Sequence, residues 1–213
     1  NNFFYSNLVN AGMYVFSPTI FQHLIPNQKA DFGKDIFPKI IHHLDMYGYN
    51  TPEYLKDMGT LDRLERVTND MESGKLKRWN LNQKRKAVFI DRDGVINYHR
   101  DYIFKPEQFE LYPYAAAALK EINRSDYLAV VVTNQPVVAR GLCTEEELAK
   151  IHKKMETLLG NEGAYFDAIY YCPHHPDKGF EGEVPELKIK CNCRNPAPGM
   201  LLEAAERFTI DLA

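Results

Sequence analysis

The chain has 213 residues, enough for one sizeable core or for one domain and part of another. An apolar fraction of 45%, a charged fraction of 26% and a net charge of −3 describe an ordinary soluble protein and give no reason to expect nucleic acid as a partner. No apolar run approaches the ~20 residues a membrane helix needs and no signal-peptide layout opens the sequence, so no membrane partner is expected and a cytoplasmic location is the default.

Residues 1–70 have the strand-and-helix texture of a globular piece in "VNAGMYVFSPTIFQHLIP", "DFGKDIFPKII" and "YLKDMGTLDRLERV", without a Gly-rich phosphate loop. Asp57-Met58-Gly59-Thr60 reads as a helix-capping turn. The polar stretch from about 68 to 86 lacks a sustained apolar period, which predicts a linker over 71–85 with a helical first half. Lys84-Arg85-Lys86 reads as a solvated lead-in to a strand. The pattern then alternates. A strand is expected at 87–91, a helix near 114–124, a buried strand in "YLAVVVTN", and a helix near 144–160 opened by Thr144 and three glutamates. "DAIYYC" at 167–172 is a third strand, and Pro198 starts a helix through about Phe208. Such alternation predicts an α/β fold, a parallel sheet with helices on both faces, whose ligands sit at the carboxyl ends of the strands.

Asp91-Arg92-Asp93-Gly94 lies at such an end. One reading is an Asx turn with Gly94 at positive φ. The other starts from Asp91 as the last residue of an apolar strand, where a carboxylate is costly unless a cation compensates it. Mg²⁺ takes one or two carboxylates and keeps positions for water and phosphate oxygens. Asp91 is then a candidate nucleophile toward phosphorus and Asp93 a candidate general acid. Thr133 and Asn134 end the next strand, either as a polar terminus or as a hydroxyl and an amide aimed at the same phosphoryl oxygens. The two patterns at successive parallel strand ends favour phosphoryl transfer.

"VFIDRDGVIN" and "VVVTNQPVVARG" resemble the first two motifs of haloacid dehalogenase superfamily phosphatases. Residues 86–213 are most similar to the histidinol-phosphate and heptose-bisphosphate phosphatase group. The resemblance implies a Rossmann-like fold, Asp91 as nucleophile, Asp93 as acid/base and Thr133 as phosphate ligand. It also implies Mg²⁺ held by Asp91 and the backbone carbonyl of Asp93. Arg194-Asn195-Pro196 stands where the family reads Arg-Lys-Pro. Arg194 offers a guanidinium suited to phosphate, whereas Asn195 donates hydrogen bonds without charge. With Asn134 these are the expected substrate contacts. The family's fourth motif, an acidic cluster that completes the Mg²⁺ site, should follow "RFTIDLA", so the chain reads as a truncated stretch.

"CPHHP…CNCRNP" places Cys172-x-His174 sixteen residues before Cys191-x-Cys193. Cys₃His is a standard set for structural zinc. The alternative, three reduced cysteines in a polar loop, goes against the usual burial of cysteine. His174 is preferred to His175 because heptose-bisphosphate phosphatases show the same Cys-x-His order, and the resemblance implies that this loop shapes specificity without entering the chemistry. Cys143 is expected outside the site.

Residues 1–70 resemble the C-terminal third of sugar-phosphate nucleotidyltransferases. In that family the stretch matching Asn10-Ala11-Gly12 lies along the sugar and the residue matching Asp57 binds metal. The expected parent is a fusion of that enzyme with a phosphatase. The phosphatase would remove the 7-phosphate of D-glycero-D-manno-heptose 1,7-bisphosphate, a small-molecule substrate, and leave a sugar 1-phosphate for the transferase. The alternatives are a histidinol-phosphate phosphatase and a catalytically inactive, zinc-stabilised interaction module. Residues 1–213 are expected to release phosphate negligibly beside a version extended through the acidic segment. Equal Mg²⁺-dependent rates from the two would overturn that expectation.

Overall fold

The computed structural model describes residues 8–212, the side chains of Lys77 and Arg78 apart. Residues 8–60 hold little regular structure beyond short helical turns, among them α1 (Phe37–Ile40). Only Ile20, Ile36 and Ile40 are buried in that stretch. Beside them Tyr14, Phe16, Phe32 and Phe37 form a ring cluster with centroids 4.8–6.2 Å apart. Helix α2 (Leu61–Glu72) starts at Thr60, whose hydroxyl accepts from the Arg63 N–H, while Asp57 accepts from the Gly59 N–H at 2.7 Å. The capping turn read from the sequence is therefore present. The stretch expected as a linker carries the end of α2, a second short helix α3 (Lys75–Arg78) and Trp79, which packs on one of the two cores of the sheet. One apolar ring in a polar segment is too little for a periodicity signal.

Three largely apolar runs build the sheet. β1 (Lys86–Ile90), β2 (Tyr127–Asn134) and β3 (Ala168–Cys172) pair in parallel in the order β1-β2-β3. Period-2 alternation splits β2 between two cores. Ala129 and Val131 face the cluster that holds Leu119 of α4 (Ala115–Arg124) and Leu148, Ile151 and Met155 of α5 (Glu145–Asn161). Leu128, Val130 and Val132 face Met200, Ala204 and Phe208 of α6 (Gly199–Phe208). Helices thus cover both faces. α5 opens with a capping box: Thr144 Oγ1 accepts from the Glu147 N–H at 3.2 Å, and the Glu147 carboxylate accepts from the Thr144 N–H at 2.8 Å.

After α6 the chain returns to β1. Ile210 bridges Arg85 in parallel, through Arg85 N–H to Thr209 O at 2.9 Å and Asp211 N–H to Arg85 O at 2.8 Å. The sheet is thus extended from β1 first through α4 and α5 on one face, then back through α6 on the other. This is the reversal that right-handed crossovers impose.

Two expectations need correction. β1 ends at Ile90, and Asp91 stands one residue beyond it, exposed, because the ladder to β2 stops at Ile90–Val131. Arg85 is only 4% exposed and not a solvated lead-in. Its Nε donates to the Phe208 carbonyl at 2.5 Å, where the end of α6 leaves carbonyls without helical partners. Among the described residues no helix is long and apolar enough to cross a membrane.

Phe208 is fully buried and its ring lies 5.6 Å from the Arg85 guanidinium. Phe208→Ala should cost about 3–5 kcal/mol, read as a lower denaturation midpoint at unchanged slope. A loss below about 1 kcal/mol would show that this core layer collapses to fill the space.

Candidate active site

The carboxyl ends of β1 and β2 open on a cleft of about 590 Å³, lined by Asp91, Asp93, Thr133, Asn134 and Arg194 among others. Five of the six residues expected at the phosphate end are therefore together. Asn195 is not among the lining residues. Its backbone N–H donates to Asn134 Oδ1 at 2.9 Å and its carbonyl accepts from Asn134 Nδ2 at 3.2 Å. Asn134, read from the sequence as an amide aimed at phosphate, has both side-chain atoms engaged in fastening β2 to the 194–196 turn.

Asp91 and Asp93 are two apart and both line the cleft, while Arg92 between them is wholly buried. Asp91 is exposed, with one oxygen accepting from the Arg92 N–H at 2.7 Å. Asp93 is held by four side-chain donor atoms. Arg92 reaches it through Nε and Nη2 at 2.9–3.2 Å, Asn97 at 2.9 Å and Gln135 at 2.8 Å. Gly94 makes the return to Asn97 with φ +83° and an N–H to Asn97 O at 2.9 Å, a backbone conformation that favours glycine. Burial pushes the Asp93 carboxyl up, but the Arg92 charge and the bonds from Asn97, Arg92 and Gln135 outweigh it and leave the carboxyl below its ordinary value.

Arg92 in turn meets α5, its Nη1 lying 3.3 Å from His152 Nε2. Burial and then the Arg92 charge push His152 down to about 3, so the ring is neutral and Nε2 is an acceptor. Thr133 Oγ1 accepts from Gln135 Nε2 at 3.0 Å, which leaves its own proton to be donated elsewhere. Arg92, Asn97, Gln135 and His152 were missed as site residues. The first three stand inside the quoted motifs; the hydrogen-bonding role of each depends on the turn after β1 and the end of β2. His152, one polar residue on the apolar stripe of α5, gave only a faint signal.

The second cluster forms as expected. Ligand atoms of Cys172, His174, Cys191 and Cys193 all lie within 4.8 Å of one another. Sulfur–sulfur distances are 3.1–3.5 Å, and His174 Nδ1 lies 3.2 Å from Cys193 Sγ. A tetrahedral ion with bonds of about 2.3 Å to sulfur separates its sulfurs by about 3.8 Å, slightly more than this. Burial pushes the Cys172 thiol up. The donor set fits zinc. His175 points elsewhere, its Nδ1 accepting from the Asp177 N–H at 3.2 Å, and Cys143 is buried away from the group. Arg194, next to Cys193, joins the two places: it lines the cleft and its Nη1 donates to the His174 carbonyl at 3.2 Å.

Gln135→Leu removes a donor that favours the charged form of Asp93, so the Asp93 pKa should rise. A carboxyl-carbon NMR titration reads this directly. An unmoved Asp93 resonance would show that Gln135 does not bear on its charge.

Residues 2–74 match the family model described as nucleotidyl transferase. D-Glycero-β-D-manno-heptose-1,7-bisphosphate 7-phosphatase of Yersinia pestis is 38% identical over 133 residues, covering 62% of this chain and 69% of that enzyme. A HAD-like phosphatase of known structure from Mesorhizobium loti superposes with a TM-score of 0.56 at 36% identity, covering 61% of this chain and 60% of that one. The D,D-heptose 1,7-bisphosphate phosphatase of B. bronchiseptica, solved with magnesium and phosphate, superposes with a TM-score of 0.52 at 37% identity, covering 60% and 66%. The chain thus spans between three-fifths and seven-tenths of these relatives. With the paired aspartates and the cysteine–histidine cluster at the strand ends, this likeness means that the chain belongs to the D-glycero-β-D-manno-heptose-1,7-bisphosphate 7-phosphatase family of HAD-like phosphatases.

Proposed function

We propose that this protein is a Mg²⁺-dependent phosphatase that removes the 7-phosphate of D-glycero-D-manno-heptose 1,7-bisphosphate through an aspartyl-phosphate on Asp91. The observation that carries the reading is the meeting of Asp91, Asp93 and Thr133 in one cleft at the ends of two adjacent parallel strands. The family relation supports the substrate class.

The contacts support the following roles. Asp91, outside the strand and facing the cleft, is placed to attack phosphorus, forming an O–P bond as the P–O bond to the sugar breaks. Thr133 has a proton to give a phosphoryl oxygen, and Arg194 brings a guanidinium to the same cleft. Asp93 starts as a carboxylate. An arriving phosphate dianion disfavours that charge and promotes the protonated form, which gives its proton to the leaving sugar oxygen. Asp93 then takes a proton from the water that attacks phosphorus, and Asp91 is released with inorganic phosphate. Asp91 and the Asp93 backbone carbonyl would hold the magnesium, an all-oxygen set of the kind that ion takes. When bound, Mg²⁺ supplies charge stabilisation to the phosphoryl oxygens. We assign zinc to Cys172, His174, Cys191 and Cys193 as a structural ion. The nucleotidyl transferase match over 2–74 supports a fusion in which the resulting sugar 1-phosphate is activated next.

Asp91→Asn in the full-length protein should keep the melting temperature and lower turnover by on the order of 10³-fold or more. The measurement is phosphate release from the heptose bisphosphate and from histidinol phosphate, with and without Mg²⁺. Near-parental rates in the variant would end the nucleophile assignment, and preference for histidinol phosphate would move the substrate to that alternative. Elemental analysis should find one zinc per chain, with sulfur bonds of about 2.3 Å in an anomalous map. A Cys143 disulfide or no zinc peak at the cluster would end that assignment.

A further inference from the structure

The loop between His174 and Cys191 does not hang free. It is docked on the turn at 139–141, just after the Thr133–Asn134 end of β2. The Val184 N–H donates to Ala139 O at 3.0 Å, and just before the loop Pro173 O accepts from the Ala139 N–H at 3.2 Å. Gly141, at φ +68°, lies so close to the loop that a Cβ there would sit 1.8 Å from the Gly182 carbonyl oxygen. Between these contacts stands Arg140. Its guanidinium carbon is 4.2 Å from the ring centre of Phe180, in the loop, and 4.5 Å from that of Tyr102, which lines the cleft. Its Nε is buried without a hydrogen-bond partner among the described residues. Lys188, buried in the same loop, places its Nζ 4.7 Å from the Phe180 ring centre.

From this geometry we infer that Arg140 is a positioning residue, its guanidinium held between Phe180 and Tyr102 so that the cysteine–histidine loop sets the substrate wall of the cleft. The proposal rests on the phosphatase reading for its kinetic part and on the zinc assignment for its chelation part, while the exchange of the variants without chelator depends on neither. A guanidinium is planar and presents two faces to π systems, whereas an ammonium is a point charge that cannot stack on two rings at once. Arg140 therefore uses its faces where its buried Nε finds no partner. Phe180 is further fixed by Lys188, and the loop by its backbone bond from Val184 to Ala139, so Tyr102 inherits its position from the loop. A change in the cluster's metal state should reach the cleft through Phe180, Arg140 and Tyr102.

The test is amide hydrogen exchange in segments 99–103 and 176–190 of the full-length protein, before and after removal of metal with a chelator. Arg140→Met keeps length and apolar bulk but loses charge and plane, and should speed exchange at 99–103 by about tenfold without chelator. In the parent, chelation should speed both segments; in Arg140→Met it should speed 176–190 alone. Arg140→Lys should fall between the two. If Arg140→Met does not fold, Phe180→Leu breaks the same sandwich from the loop side and should free 99–103 equally. Unchanged exchange at 99–103 in the folded variant would overturn the proposal. So would an equal response of that segment to chelation in parent and variant. For a sugar bisphosphate, KM should rise about tenfold while kcat stays within about threefold; a fall in kcat at unchanged KM would also count against a role in positioning. A parent protein inactive on every phosphate ester would defeat the proposed function, while the exchange measurements would still decide this one.

Discussion

The site depends on one constraint of parallel sheets. A strand whose two neighbours are reached by crossovers on opposite faces leaves a crevice over its carboxyl end, because the connections depart in opposite directions there. Here that strand is β1. It pairs with β2 after α4, and the chain comes back to its other side at Arg85 and Ile210 after α6. Asp91 and Asp93 stand over that crevice, and the chain that must leave it in a tight turn does so through Gly94.

Crowding two carboxylates at one strand end is costly unless positive charge is nearby. Arg92 supplies it from the side of the chain opposite the cleft. Its guanidinium is sealed from water yet takes hold of Asp93 with two nitrogens, so one of the two like charges is offset within the fold and the other, Asp91, is left facing the cleft. A buried cation is itself expensive, and a second one beside it would be worse. His152 avoids that by staying neutral: burial and the Arg92 charge both oppose its protonation, and its ring then accepts where an imidazolium would repel. The polarity of the site is thus set two residues deep, from Asp93 through Arg92 to α5.

The sheet was legible from the sequence because its signals are local. The apolar run from Leu128 to Val132 and the Thr144 capping box are each decided within a few residues. The pairing of Cys172 and His174 with Cys191 and Cys193 was legible because spacing and chemistry both pointed to one ion. What escaped was long-range. Arg85 reads as one of three solvated cations, yet it caps a helix that ends 123 residues later. Asn134 reads as a substrate contact and lines the cleft, yet its amide also serves the backbone of Asn195, 61 residues away. Polar residues that serve the backbone of a distant segment look the same in sequence as those that serve a ligand. Only the tertiary partner distinguishes them.

The Asn134–Asn195 pair also explains how three strand ends act together. β1 leads into the aspartates, β2 ends in Thr133 and Asn134, and β3 in Cys172, the first member of the cysteine–histidine group. The Cys191-x-Cys193 turn is tied to the start of α6 by the Gly199 N–H to Asn192 O bond at 2.8 Å, and to β2 by the Asn134–Asn195 bonds. Arg194 lies between these two fastenings. A long cationic side chain on a free loop would lose considerable entropy in meeting a phosphate. Held beside Cys193, with one nitrogen on the His174 carbonyl, Arg194 has much of that cost met by the fold. Under the proposed function, a cluster with no group in the chemistry therefore still contributes to it, by fixing the direction from which a guanidinium reaches the cleft.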